Sequence, residues 1–423
     1  MKVHPCTLMS DHNTEKDTVQ QTMAQSPISG HPQAKRTSRT NRWILGLFPV
    51  ALLAGISILF LRNDPTAQFR AAFPPVEELT IERVSFPEAG IMRVHVVNGG
   101  PESVTIAQVL VDDAYWQFKI DRDPTVPRLN SATLELNYPW VEGEPHLISL
   151  ITSTGLTFEY EVAVATESPR LNAQYLTIFG LLGLYAGVVP VLLGLLWYPF
   201  LRRIDRKWVH FYLSLTLGLL AFLLFDTFEH TLETSAMVAE GFEAVGLIAL
   251  GILGAVVGLR AIGQLGRDKS APTSGLTIAY MIAIGIGLHN LGEGLAIGAA
   301  YALGEIALGS FLVIGFALHN TTEGLAIVAP IADKRPALWN FIAMGMIAGL
   351  PTILGAWAGG FSYSPITATF FLALGAGAIL QVIIEVSKLV QRSWPKGLFT
   401  PLNAMGLIIG MVIMYVTALM VTA

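Results

Sequence analysis

His289-Asn290-Leu291-Gly292-Glu293-Gly294-Leu295-Ala296-Ile297 and His319-Asn320-Thr321-Thr322-Glu323-Gly324-Leu325-Ala326-Ile327 are near-copies of one motif, 30 residues apart (319 minus 289). Each copy sits inside an apolar run, about 275 to 300 and about 305 to 330, and runs of that length cross a bilayer as helices. Successive spans run antiparallel, which makes the pair an inverted repeat of the kind that holds a transported substrate near mid-membrane. Residues four apart lie one turn above each other on a helix, so His289 with Glu293, and His319 with Glu323, each form a two-pronged ligand set. Facing one another, they offer four ligands. Asn290 and Asn320 lie about 100° further round their helices, placed to reach a second ion or hold water. Gly294 and Gly324 let neighbouring helices come close.

An ionised carboxylate at the bilayer centre costs at least roughly 2.5 to 3.5 kcal/mol, and two that face each other also repel. A divalent cation cancels both penalties. Helix-packing glue would account for the asparagines and for one histidine, but not for paired His and Glu at matching spacing. Imidazole with carboxylate suits Zn2+, Fe2+ and Mn2+, whereas all-oxygen sites suit Ca2+ or Mg2+ and thiolates suit Cu(I). The single cysteine, Cys6, lies in a polar N-terminal stretch. A metal site in the body of the protein is therefore built from nitrogen and oxygen, and no disulfide framework exists within one chain.

Working outward, the region after Arg170 divides at polar breaks into eight apolar spans, at about 172–200, 208–228, 241–263, 275–300, 305–330, 337–359, 364–388 and 402–422. Only 13% of the 423 residues are charged, half the share of an average soluble domain, which assigns the bulk of the chain to a membrane. A net charge of −5 offers no basic face for nucleic acid. Basic residues concentrate in alternate loops: Arg202, Arg203, Arg206 and Lys207, then Arg260, Arg267 and Lys269, then Lys334 and Arg335, then Lys388, Arg392 and Lys396. The loops between carry Glu229, Glu233, Glu240, Glu243 and Glu305 without Lys or Arg. By the positive-inside rule the basic loops and the N-terminal tail are cytoplasmic, which puts the region between residues 64 and 169 and the C-terminus outside.

Residues 1–42 are polar, lack hydrophobic periodicity and end in Lys35, Arg36, Arg39 and Arg42, the make-up of a disordered cytoplasmic tail. Its His4, His12 and His31 have no fixed geometry for metal. Trp43 to Leu61 reads as an uncleaved anchor helix, giving nine helices in all. Between 64 and 169 the period changes to short alternating runs, at 79–86, 91–98, 104–112, 115–120, 133–138, 147–152 and 157–164, which predict an antiparallel sandwich of Ig-like size outside the membrane. His95 and His146 are isolated there, too few ligands for a copper site. The expected role is structural or partner-binding, with no partner specified by sequence.

The doubled motif resembles the fourth- and fifth-helix signatures of the ZIP family (Zrt-, Irt-like proteins), above all its GufA-type branch, whose helices read His-Asn-x-Pro-Glu-Gly. The resemblance covers about residues 172–423 and implies an α-helical polytopic membrane protein. Its eight-helix bundle would move zinc or a related metal toward the cytoplasm by alternating access, often as a homodimer, in the cell membrane and with no enzymatic activity or prosthetic group. It implies that His289, Glu293, His319 and Glu323 hold the primary ion, and that Asn290 and Asn320 join the glutamates at a neighbouring site. Gly375-Ala376-Gly377-Ala378 followed by Gln381 and Glu385 is similar to the family's seventh helix, where an acidic residue lies toward the cytoplasmic exit. Gly292 and Thr322 stand where the family has proline, Thr352 where two-metal members carry a glutamate, and Leu220 near where some place a methionine. Thr352 favours one metal over two.

Asp226, Glu229, His230 and Glu233 crowd one face at the outer end of the second span, an acidic mouth that concentrates cations and matches an entrance by family position. A solvated helix end is the plainer reading of Glu233. Two other classes of function compete: an intramembrane metal-dependent hydrolase, and a metal sensor whose sandwich binds a partner. The first lacks a His-Glu-x-x-His pattern and a spare glutamate to act as base.

Overall fold

The computed structural model describes residues 39–63, 76–264, 274–393 and 400–422. The expected N-terminal tail up to residue 38, with Cys6 and its histidines, lies outside the described residues, as do Arg267, Lys269 and Lys396. Helix α1, Arg39–Asn63, covers the expected anchor; its stretch Leu47–Phe60 is apolar, shorter than a full span, and its large apolar side chains are exposed.

Two antiparallel sheets follow. One has the order β1 (Leu79–Glu88), β2 (Ile91–Asn98), β7 (Ser131–Asn137), β5 (Phe118–Ile120); the other runs β4 (Ala114–Trp116), β3 (Val104–Val111), β8 (His146–Thr152), β9 (Thr157–Val162), with the short β6 (Thr125–Val126) paired to β3. Alternation decides which side chains meet: Met92, Val94, Leu134 and Leu136 of the first sheet close on Ile106, Val109, Ile148 and Leu150 of the second in one buried core, as a sandwich requires. The single strand expected at 115–120 is two. Residues before Gln117 pair with β3 and those after it with β7, so the chain changes sheets there.

Among the described residues, eight helices are long and apolar enough to cross a membrane. They are α2 (the span Ala173–Leu201), α3 (Arg206–Ser235), α4 (Ala244–Ile262), α5 (Gly275–Ala302), α6 (Ile306–Val328), α7 (Leu338–Ser362), α8 (Pro365–Ser393) and α9 (Pro401–Thr422). Asn172 and Ser274 start α2 and α5 as side-chain caps, accepting from the N–H groups of Tyr175 at 2.9 Å and Thr277 at 3.1 Å, the usual use of Asn and Ser there. Helix α3 runs seven residues past the expected end at 228, because Glu, Thr and His continue a helix once the apolar run has stopped.

Packing is heaviest between α5 and α7, α4 and α8, and α3 and α9; this leaves two sets, a first group of α2, α5, α6 and α7 and a second of α3, α4, α8 and α9, joined by extensive contact of α5 with α8 and lesser contact of α6 with α9. Close approach within the first group falls on the motif glycines. A Cβ on Gly294 would strike the carbonyl oxygen of Thr352 in α7, and one on Gly324 would strike that of Val191 in α2. The sandwich rests on one end of the bundle through three helix connections: Glu78 accepts from the Glu240 N–H at 2.7 Å, Ser364 Oγ donates to Glu82 at 3.1 Å, and Gly304, at φ +83°, packs on Thr166. These are the α3–α4, α7–α8 and α5–α6 connections. Arg202, Arg203, Lys334 and Arg335 fall in the connections of the opposite end, tied by the Tyr198 hydroxyl donating to the Lys334 carbonyl.

Candidate metal centre

Helix α2 prepares the site with a break. Pro190 has no N–H, so an α-helical ladder would leave the carbonyl of Ala186 without a partner; the chain widens into a π-helical turn over Leu184–Val188, and Asn320 Nδ2 donates to that carbonyl at 2.9 Å. Neighbouring helices re-satisfy broken backbone in this way wherever water is excluded. Asn290 of the other motif also reaches a helix backbone, its Nδ2 donating to the Ala348 carbonyl of α7 at 3.0 Å, next to the Ile347 carbonyl that Pro351 leaves without its helical partner. Both asparagines thus lock a motif helix to a proline-containing neighbour through the amide nitrogen, while each Oδ1, the atom that could ligate an ion, is buried without a hydrogen-bond partner.

The two motifs meet at one oxygen. Glu293 Oε1 lies 3.0 Å from His289 Nε2 and in close contact with His319 Nε2, while Oε2 accepts from Asn320 Nδ2 at 2.9 Å. His289, Glu293 and His319 offer one ligand atom each within 4.8 Å of one another, and all three residues are buried. Tetrahedral zinc with bonds of about 2.0 Å holds its ligand atoms about 3.3 Å apart, so small rotations suffice.

The hydrogen bonds around His289 fix its chemistry. The Thr227 hydroxyl spends its one proton on the Leu223 carbonyl at 2.7 Å, so at 3.1 Å its oxygen accepts from His289 Nδ1–H. On that assignment from the network, the neutral ring carries its proton on Nδ1 and turns a lone pair at Nε2 toward a carboxylate. Two acceptors 3.0 Å apart repel unless a cation lies between them, a proton or a metal ion. An outer hydroxyl holding one imidazole nitrogen so that the other can ligate is the usual support of a metal-bound histidine.

Glu323 is buried, and neither carboxylate oxygen has a properly formed hydrogen bond, although Asn290, both histidines and Glu293 lie within electrostatic reach. It stands outside the compact trio. Thr352 is buried between α2 and α5, against Gly187 and Gly294, with its hydroxyl oxygen unpartnered.

Of the expected entrance, Asp226 is half-buried and acts electrostatically on His319, whereas Glu229, His230 and Glu233 are exposed. His230 Nδ1 donates to the Asp226 backbone carbonyl at 3.0 Å and lies 3.9 Å from its carboxylate. At the expected exit, one oxygen of Glu385 accepts from Gln381 at 3.1 Å and from Lys388 at 2.9 Å. The metal trio lies level with Gly375 of α8, whose Cβ position is 3.1 Å from His289 Cα. That is about 15 Å of helix rise below the sandwich end of α8 and about 9 to 15 Å above Gln381 and Glu385. Sequence reasoning missed Thr227; a hydroxyl next to Asp226 near the end of the apolar run of α3 was the available signal.

The fold and site define a helical protein with eight membrane-length apolar helices, a β-sheet region on the N-terminal side, and a buried His/Glu cluster that can bind a metal. Comparison with protein-family models and with curated proteins finds no match to this chain.

Proposed function

We propose that the chain is a carrier of divalent transition metal ions, Zn2+ first and Fe2+ or Mn2+ next, of the ZIP kind that its doubled motif resembles. The observation that carries the reading is the meeting of His289, Glu293 and His319 on one oxygen in the middle of apolar helices. Transport needs a site that can open to either side, and the seam between the two helix groups supplies one. The ligands belong to α5 and α6, whereas Thr227, which orients His289, belongs to α3 of the other group. Movement of one group against the other removes the hydroxyl from the ring and loosens the ion as the path opens. On this reading the sandwich end faces outside, Asp226 attracts the ion, the Gln381–Glu385 end leads to the cytoplasm, and no covalent chemistry is involved. The test is 65Zn2+ uptake into proteoliposomes, with Fe2+ and Mn2+ as competitors, for the wild type and His319→Ala. Saturable uptake lost in the variant supports the carrier; equal uptake by both proteins ends the assignment.

A further inference from the structure

A cavity of about 440 Å3 lies where the sandwich meets the bundle. Its sandwich wall carries Arg83, Arg93 and His95 together with one carboxylate, the exposed Glu88; Arg170 adds a third guanidinium, and Leu303 and Phe361 at the ends of α5 and α7 form an apolar wall. Arg83 faces it because of a bulge. Burial in β1 alternates through Leu79 and Ile81, then resumes one residue out of step at Val84 and Phe86, where the pairing with β2 slips between Ile81 and Arg83. The slip turns Glu82 and Arg83 together away from the sandwich core, a common use of bulges. Glu82 takes the Ser364 hydroxyl of the bundle, which leaves Arg83 to the cavity.

The three guanidinium groups are not equivalent. Arg93 and Arg170 each hold a carboxylate at 2.9 Å, Glu135 and Glu167. His95 has both ring nitrogens engaged, by Ser85 at 3.0 Å and Thr133 at 3.3 Å, so it forms wall rather than ligand contact. Half-buried Arg83 has an electrostatic neighbour in Glu82 but no hydrogen bond to any described residue. Three of the last four carbonyls of α5, those of Ala299, Ala300 and Tyr301, already accept from the N–H groups of Leu303, Glu305 and Gly304 and so do not draw on Arg83. A planar fork of five donors left open in a preformed cavity is a device for recognising an oxyanion, and it matches two oxygens of a phosphate at once.

We propose that this cavity binds a phosphate group through Arg83, with Arg93 and Arg170 completing a basic rim, and that the phosphate belongs to an anionic phospholipid. The apolar wall at the helix ends favours a phosphodiester that carries a hydrophobic chain over a free ion. The lipid source rests on the helices lying in a bilayer, as the proposed function has it; the phosphate site does not.

The experiment titrates full-length protein in detergent, by calorimetry, with short-chain phosphatidylglycerol, short-chain phosphatidylcholine and inorganic phosphate, using wild type, Arg83→Gln and Arg93→Gln, each checked for native thermal unfolding. Saturable binding of phosphatidylglycerol, weaker for phosphatidylcholine and for phosphate, and reduced at least about 10-fold by Arg83→Gln, is the expected result, the size following from loss of hydrogen bonds to a charged group. Tighter binding of inorganic phosphate, equally sensitive to Arg83, overturns the lipid source. Should Arg83→Gln not fold, a loss of about 3-fold or more in Arg93→Gln supports the site from an exposed position. Absence of binding to all three ligands, or binding unaffected by the foldable variants, overturns it.

Discussion

Thr227→Val separates a metal-orienting hydroxyl from a packing residue with almost no change of shape. Val keeps both branches of the side chain and removes only the oxygen that accepts from His289 Nδ1–H. In the metal-bound state the ring has no alternative, since Nε2 is on the ion and the proton must stay at Nδ1, now facing a methyl group. A buried donor left without a partner costs about 1 to 3 kcal/mol. The metal-free ring avoids that cost by moving its proton to Nε2 and donating to Glu293, 3.0 Å away. The penalty therefore falls on the bound state, and about 1 to 3 kcal/mol converts to a loss of roughly 5- to 150-fold in affinity, in line with the 10- to 100-fold typical of such supporting groups. Competition between the purified protein and a chromophoric chelator measures it, with Thr227→Ser, which restores the hydroxyl, as control. Valine and wild-type proteins that bind zinc within about twofold of each other would refute the tautomer assignment.

Glu293→Gln removes the negative charge on which both histidines converge and replaces one of its two oxygens by an NH2, and should weaken zinc binding by more than about 100-fold, beyond the effect of a supporting group; Glu323→Gln should weaken it by less than about 10-fold while slowing flux more strongly, the two read by chelator competition and by uptake. Gly324→Ala puts a Cβ against the Val191 carbonyl and 2.7 Å from Gly194 Cα; overpacking of this kind costs about 1 to 3 kcal/mol, so the melting temperature should drop and zinc affinity with it, as α6 and its His319 are displaced. His95 is held down to about 4 by burial first and then by Arg83 and Arg93. The folded ring stays neutral where the unfolded one charges, so stability is full above about pH 6.5 and is lost as pH falls from there toward 4, by roughly 3 kcal/mol. Denaturant titrations of full-length wild type and His95→Gln across that window test it: a sandwich transition that loses as much stability with falling pH in the variant removes His95 as the cause.

The helices were legible because their evidence is local. Apolar runs and polar breaks located all eight, most ends to within a few residues, with α3 running seven and α8 five residues past their expected ends, and spacing of four in each motif placed His and Glu on one face. The sandwich was legible for the same reason, except where the chain changes sheets at Gln117 and where Ile81–Arg83 slips, since a bulge leaves no compositional trace in a strand that remains apolar on average. The shared oxygen of Glu293 was not legible. Two equivalent motifs give no reason in sequence why one glutamate should take both histidines and the other none; that depends on the offset between α5 and α6, which is fixed by contacts at Gly294 and Gly324 with other helices. Thr227 stayed hidden because it lies more than sixty residues from its partner, and its hydroxyl also suits ordinary back-bonding within a helix, which it makes to Leu223.

Under the proposed carrier function, that broken symmetry has a consequence. Had the two motifs closed symmetrically, four ligands would enclose the ion, and enclosed four-coordinate sites are those that retain zinc for structure. Here three ligands converge while Glu323, buried, near Asn290 but without a well-formed hydrogen bond, remains outside the trio, and a three-ligand set keeps a position open for exchange. Leaving a carboxylate unpaired in an apolar interior costs energy that helix packing does not require, since the asparagines and glycines of the same motifs already lock the helices together. The cost is offset when a cation arrives, which makes Glu323 the group whose state differs most between the empty and loaded site. A residue of that kind governs how fast an ion enters and leaves more than how tightly it is held.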